Sequence, residues 1–507
     1  MSTQHPDNAK VPEWATREVL EGEDEVEEAY LAYKEFGCQE VMWDAEGKDV
    51  DAHVVRKLLS RYPTYFKKHQ LGKDVYLTYR LPNPRLEKAE RKVLMETLDH
   101  IPVSNDVAME FYRKDDASPI FEAIVPFTQN AEDLIAVARY YELAVAGRGN
   151  VKLTEDLTVS DWLGEVRPKR INVIPLFEDK AGLLSAGDII EAYSKTVNPD
   201  YLRVFVGRSD PAMSYGVVAA TLMAKIAISS MKSAGKRMGK PVYPMLGVGS
   251  LPFRGWMSPL SYKSVLEEFP GVNTFTIQSA FKYDYEEATA REAISHINSS
   301  NPVEGEEISP ADRQKLTSIV EKFSRRYEQE VRALSPLVNA LSVFLPPRRA
   351  RKPHMGPFGY GRHSGRSLLP RAIVFTATLY TVGFPPEFMG LGALSTLAGE
   401  EEEMLRKYFK TMNRLLSAAA NFFSWDSYGT LKEEGVAGIK LQPPLVESLE
   451  GDVKEAEEAG IDLGPKDYYG MKHGLFSFMS VMSLNQGRRE EARNHIMEAA
   501  KVRRSLG

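Results

Sequence analysis

The stretch RINVIPLFED, residues 170–179, and its counterpart YLRVFVGRSD, residues 201–210, decide how this chain folds. Each is apolar and β-branched, as a parallel strand buried on both faces must be. Each finishes in a carboxylate, Glu178 in the first and Asp210 in the second. The intervening AGLLSAGDIIEAYSKTVN has helical spacing and the length of a crossover. Strand, helix and strand in that order run parallel with a right-handed connection. Glu178 and Asp210 then emerge at the same C-terminal edge, about one or two strand spacings apart. Two carboxylates so placed are hard oxygen ligands suited to Mg²⁺ or Mn²⁺. Spacing alone leaves a second reading equally open, in which each acid caps the next helix or pairs with an arginine.

Working outward, the same alternation continues in both directions. Strand-like runs occur at QEVMWD (39–44), DVYLTYR (74–80), IFEAIVPFT (120–128), VYPMLGVG (242–249) and TFTIQSAFKYD (274–284). Helical patterns lie between them, including 54–68, a helix over 86–97 leading into VAMEFYR, and the long SYGVVAATLMAKIAISSMKSAGKRMG. Six or seven strands alternating with helices predict an α/β fold, a closed (β/α)₈ barrel of the TIM type elaborated with extra helices, rather than two doubly wound domains. No Gly-x-Gly-x-x-Gly follows the first strand and no Walker loop occurs, so nucleotide-binding folds lack support.

The chain reads as one elaborated barrel domain over residues 1–507. Residues 1–10 are polar and terminal, where disorder is the default. Asp44, Glu46, Asp49 and Asp51 form an acidic loop better read as solvated or arginine-paired than as a metal site. Residues 345–371 are rich in glycine, proline and arginine, with six arginines and one lysine between Arg348 and Arg371. That loop is an anion trap, a solvated basic loop or a subunit contact. Residues 385–507 form a helical C-terminal region that wraps the barrel or builds an oligomer interface.

Composition bounds the partners. The net charge of −6 in 507 residues, with acids and bases interspersed, argues against nucleic acid and an anionic membrane as main partners. The single Cys38 excludes an intrachain disulfide and fits a reducing cytoplasm, as a buried inert thiol. No apolar leader opens the chain and no 18-residue apolar run stands out, so neither secretion nor a membrane span is expected.

Four motifs in order resemble phosphoenolpyruvate carboxylase, specifically its short archaeal type. STQHPDN (2–8) looks like that type's opening motif and is similar to TAHPTE of the long enzymes. VIPLFED resembles their VVPLFET, and GRSDPAMSYG their GYSDSNKDAG. LPRAIVFTATLYTVGFPPEFMGLG resembles their LRAIPWIFAWTQ…LPAWLG segment.

The resemblance implies that Glu178 and Asp210 hold Mg²⁺ or Mn²⁺ and that His5 takes the place of the catalytic histidine. Arg254, in GSLPFRG, matches the second arginine of the long enzymes' HGRGG-x-x-GRGG loop. Arg371 matches the arginine of LRAIPW, Arg349 the one opening their RPAKRR run, and Arg80 the arginine of their second-strand motif; these three are expected to bind substrate. It implies phosphoenolpyruvate and bicarbonate as substrates, oxaloacetate and phosphate as products, a cytoplasmic location and a homotetramer. The chain departs from the long enzymes at Leu246, Val248 and Met213, where they carry a histidine, an arginine and a lysine. Arg351, His354, Arg362 and His363 are candidates to stand in. Two competing readings are another divalent-metal barrel enzyme acting on pyruvate enolate, such as an aldolase or a citrate-lyase-like enzyme, and a non-catalytic scaffold.

Overall fold

A computed structural model describes residues 1–45, 51–86, 91–350 and 369–507, together with the backbone of 362–364, 367 and 368. Seven parallel strands pair in sequence order: β1 (Glu40–Asp44), β2 (Tyr76–Arg80), β3 (Glu122–Val125), β4 (Asn172–Phe177), β5 (Leu202–Gly207), β6 (Val242–Gly247) and β7 (Thr274–Phe275). Consecutive parallel neighbours are what a run of right-handed crossovers dictates.

The eighth stave comes from the chain's beginning. Ser2 bridges in parallel to Val41 on one side and to Ile277 on the other. Its amide donates to the Glu40 carbonyl at 2.7 Å, and its own carbonyl accepts from Met42 at 2.9 Å. Across the seam, Thr3 N–H donates to Ile277 O at 3.0 Å and Ile277 N–H to Met1 O at 2.9 Å. The expectation of a disordered terminus is therefore wrong. Residues 1–3 are not excess length but the piece that pairs with both edges of the sheet, which otherwise present unpaired backbone groups.

The barrel is filled by Met42, Ile124, Ile174, Leu176, Phe205 and Met245, with Met1 against them, a cluster separate from the main core between strands and helices. The helix Lys180–Val197 makes the crossover between β4 and β5; it is opened by Asp179, whose carboxylate accepts from Gly182 N–H, and closed by Asn198 in the left-handed region. The helix Val217–Met238 is long and apolar enough to cross a membrane, yet 83% of its apolar window is buried inside the molecule, which makes it a core helix. VAMEFYR continues a single helix, Arg91–Tyr112. From Pro310 the chain is mostly helical, and Arg489–Val502 leads into a buried terminus at 503–507.

Candidate active site

The C-terminal ends of the strands surround a cavity of about 90 Å³. β4 delivers Glu178 one residue past its end, and Asp210 follows β5 in the first turn of the helix Ser209–Tyr215. Because Phe177 and Val206 are in register, the two carboxylates leave neighbouring staves at the same edge. Gly207 makes this possible, since a Cβ there would lie 3.1 Å from Glu178 Cγ. Glu178 Oε2 also accepts from the Phe127 amide at 3.3 Å.

His5, Arg80, Glu178, Asp210, Arg254 and Arg371 all line this one cavity. His5 follows directly from the terminal stave, its Nδ1 2.9 Å from Thr3 Oγ1, and its carbonyl accepts from Ser279 N–H at 3.2 Å. Arg80 sits in register with Asp44 and grips it with two parallel bonds, Nε to Oδ1 and Nη2 to Oδ2, each 2.7 Å. Asp44 is thus arginine-paired and Asp51 pairs with Lys57, while Glu46 and Asp49 lie outside the described residues. Arg371 caps the start of the helix Ala372–Thr381, whose first residues, Ala372 and Ile373, also line the cavity.

Arg254 is 2% exposed and is held from three sides. Nη1 donates to the Gly507 carbonyl at 2.7 Å and reaches Asp7 Oδ2 at 3.3 Å, while Nη2 donates to Gln278 Oε1 at 2.6 Å. Its Nε–H is buried without a hydrogen-bond partner, a donor left over for a ligand. Gly249 admits the guanidinium, since a Cβ there would lie 2.8 Å from Cζ. Burial lowers the Arg254 pKa, and the charges of Asp7 and Asp210 oppose that shift.

Arg349 does not belong to this set. It lies buried between Glu25, at 3.3 Å, and Glu28, outside the cavity lining. Burial works against ionising Glu28, yet Arg349 and Lys282 outweigh it and hold its pKa at about 2. A neighbouring basic run is a poor guide to which arginine turns inward, because buried glutamates compete for the same forks. Leu246, Val248 and Met213 are fully buried in the main core, so no charge enters the cavity from those positions. Arg351 and His354 lie outside the described residues, as do the side chains of Arg362 and His363.

Three further residues line or brace the site. Gln278 lies three residues past the end of β7, close enough to the strand's C-terminal edge for a search of polar groups there to find it. Arg208 lines the cavity and is 1% exposed, donating to the carbonyls of Phe253 at 3.3 Å and Val217 at 3.2 Å. Asp7 belongs to the same short motif as His5. A larger cleft, about 1270 Å³, opens between residues 9–14 and the helix Arg489–Val502, but none of the convergent groups reaches it.

Four arginines, two carboxylates and a histidine around one cavity at the C-terminal end of a parallel barrel define a barrel enzyme built for small anions. The chain belongs to the phosphoenolpyruvate carboxylase family: the family model described as "Phosphoenolpyruvate carboxylase" matches residues 1–507. Curated relatives named phosphoenolpyruvate carboxylase include those of Metallosphaera sedula, 47% identical, and Caldivirga maquilingensis, 43% identical, each over 100% of this chain and 99% of the relative. That of Picrophilus torridus is 40% identical over 100% of this chain and 98% of its own.

Proposed function

We propose that this chain carboxylates phosphoenolpyruvate with bicarbonate, giving oxaloacetate and inorganic phosphate, and does so in the cavity lined by His5, Arg80, Glu178, Asp210, Arg254 and Arg371. The observation that carries the reading is the arrival of His5, on the terminal stave, among the acids of β4 and β5 and the two arginines from separate loops. A metal-dependent aldolase acting on pyruvate enolate would use the same acids, but it gives no reason for the STQHPDN motif that carries His5.

Glu178 and Asp210 would hold Mg²⁺ or Mn²⁺. They are hard oxygen donors from adjacent staves, and a pair of carboxylates would leave coordination positions for substrate oxygens. When bound, the ion would supply positive charge that stabilises the negative charge developing in the reaction.

Arg371 would hold the phosphate or carboxylate of phosphoenolpyruvate with a permanently charged fork, while Arg80, whose Nε and Nη2 are taken by Asp44, would offer Nη1 and its charge. A bicarbonate oxygen attacks phosphorus and the bond from phosphorus to the enol oxygen breaks, leaving its electron pair on pyruvate enolate and forming carboxyphosphate. Arg254 Nε–H donates to the oxygen that gains charge in this transfer, which depends on positioning and electrostatics. His5 then takes the carboxyl proton of carboxyphosphate; its C–O bond to phosphate breaks, releasing CO₂ and phosphate. The enolate carbon attacks CO₂ to give oxaloacetate. Met42, Leu176, Phe205 and Ile373 give the cavity an apolar floor that keeps water from protonating the enolate to pyruvate. A homotetramer in the cytoplasm fits the helical C-terminal region and the single buried cysteine.

The test replaces His5 by Asn. Bicarbonate-dependent consumption of phosphoenolpyruvate is expected to persist in part, with pyruvate as the product and oxaloacetate lost. Oxaloacetate formation at the parental rate removes His5 from the mechanism.

A further inference from the structure

One carboxylate braces the site without lining it. Asp7 lies two residues beyond His5 and is fully buried. Its Oδ1 accepts from the Ala280 amide at 2.7 Å; its Oδ2 faces Arg254 Nη1 at 3.3 Å and the Ser250 amide at 3.4 Å. Its main chain is engaged as well: the amide donates to the His5 carbonyl at 3.0 Å, and the carbonyl accepts from Leu506 N–H at 2.7 Å and Ser505 Oγ at 3.0 Å.

Each of the three groups bonded to the side chain is a donor. An ionised carboxylate only accepts, whereas the amide of an asparagine turns two hydrogens toward one of those donors. Burying a full charge here is costly, and burial alone raises the Asp7 pKa against the pull of Arg254 and the two amides. The surroundings therefore select a carboxylate over its neutral isostere, although a neutral group is cheaper to bury. Arg254 gains most from that choice. With Nη1 fixed by Asp7 and Gly507, and Nη2 by Gln278, the plane of the guanidinium is set and its Nε–H stays open.

We infer that Asp7 is a positioning residue that locks the Arg254 guanidinium and the His5 segment into one frame, so that phosphoryl transfer and carboxyphosphate breakdown occur at the same spot. The inference rests on the roles assigned above to His5 and Arg254. A misplacement of about 1 Å typically lowers a rate by a hundredfold, and loosening the frame uncouples the two steps because each depends on a different side of it.

The experiment measures oxaloacetate, pyruvate and phosphate for Asp7→Asn, Arg254→Gln and the double variant, with circular dichroism as a check on folding. Asp7→Asn is expected to lower kcat for oxaloacetate roughly 10- to 100-fold, to change KM for phosphoenolpyruvate far less, and to raise the share of pyruvate. In the Arg254→Gln background it should add less than about twofold, since the partner it orients is gone. Asp7→Thr, which keeps one short acceptor for the Ala280 amide, provides the same readout if Asp7→Asn does not fold. A folded Asp7 variant with parental rate and pyruvate share, or losses that multiply fully in the double variant, overturns the inference. Parental activity in Arg254→Gln alone overturns instead the site reading beneath it.

Discussion

The main-chain amide of Leu506 donates to the carbonyl of Asp7 at 2.7 Å, which ties the end of the chain to the segment that carries His5. Gly507 extends the tie: its carbonyl accepts from Arg254, and a Cβ on it would lie 1.9 Å from Ile373 O in the first turn of the helix that Arg371 caps. Deleting residues 506 and 507 removes both bonds at the site. At about 1 kcal/mol for each, the oxaloacetate rate should fall tenfold or more. Steady-state assays beside a thermal melt check this; an unchanged rate would mean that the tail braces nothing catalytic.

Arg349 and Arg371 sit in one basic region but should fail differently. Arg349→Met removes the cation that buried Glu25 and Glu28 share, leaving Glu28 with Lys282 alone, and should cost about 3–5 kcal/mol of stability. Denaturant unfolding measures that loss, while KM for phosphoenolpyruvate stays near the parental value. Arg371→Ala should do the reverse, with KM raised tenfold or more and stability almost unchanged. A KM that rises with Arg349→Met would put that arginine back among the substrate groups.

Removing one carboxylate at the strand ends should weaken divalent-ion binding, and removing both should abolish it. Titration with Mn²⁺ followed by electron paramagnetic resonance reads this without reference to turnover. Glu178→Ala and Asp210→Ala are each expected to lower affinity at least tenfold, and parental affinity in the double variant would place the ion elsewhere.

Asp284 makes the stability pH-dependent. Its carboxylate accepts from the amides of Ala9 at 2.6 Å and Lys10 at 2.8 Å, and burial pushes its pKa up to about 7 against those two bonds. The folded protein then holds this proton more tightly than the unfolded chain, so stability contributed by the group falls as pH rises from about 4 to 7. Asp284→Asn does not titrate, but it gives up one of the two acceptors, worth about 1 kcal/mol. Its melting temperature should lie below the parent's at pH 5, with a gap that narrows by pH 8. A gap that is constant across that range would show that Asp284 ionises normally.

Much of this was legible before any coordinates. Apolar runs alternating with helical spacing specify parallel strands, and the carboxylate closing RINVIPLFED has to emerge at the strand's C-terminal end whatever else the chain does. The missing stave was not legible, because STQHPDN has neither the length nor the apolarity of a strand. It pairs only because β1 and β7 present open edges at the right distance. Arg80 and Arg349 show the same limit from another side, since each is an arginine beside acids in sequence terms. One faces the cavity while gripping Asp44, and the other pairs with Glu25 and Glu28 outside it.

By itself, then, the sequence determined the barrel, the family and the pair of acids at adjacent strand ends, because periodicity and local motifs are properties of neighbours along the chain. Only the tertiary structure decided that the first residues close the ring, that the last residues and Asp7 brace Arg254, and that Arg349 pairs with Glu25 and Glu28 outside the cavity. Those outcomes depend on which buried charge finds which partner across hundreds of residues, and that competition is settled only when the core excludes water.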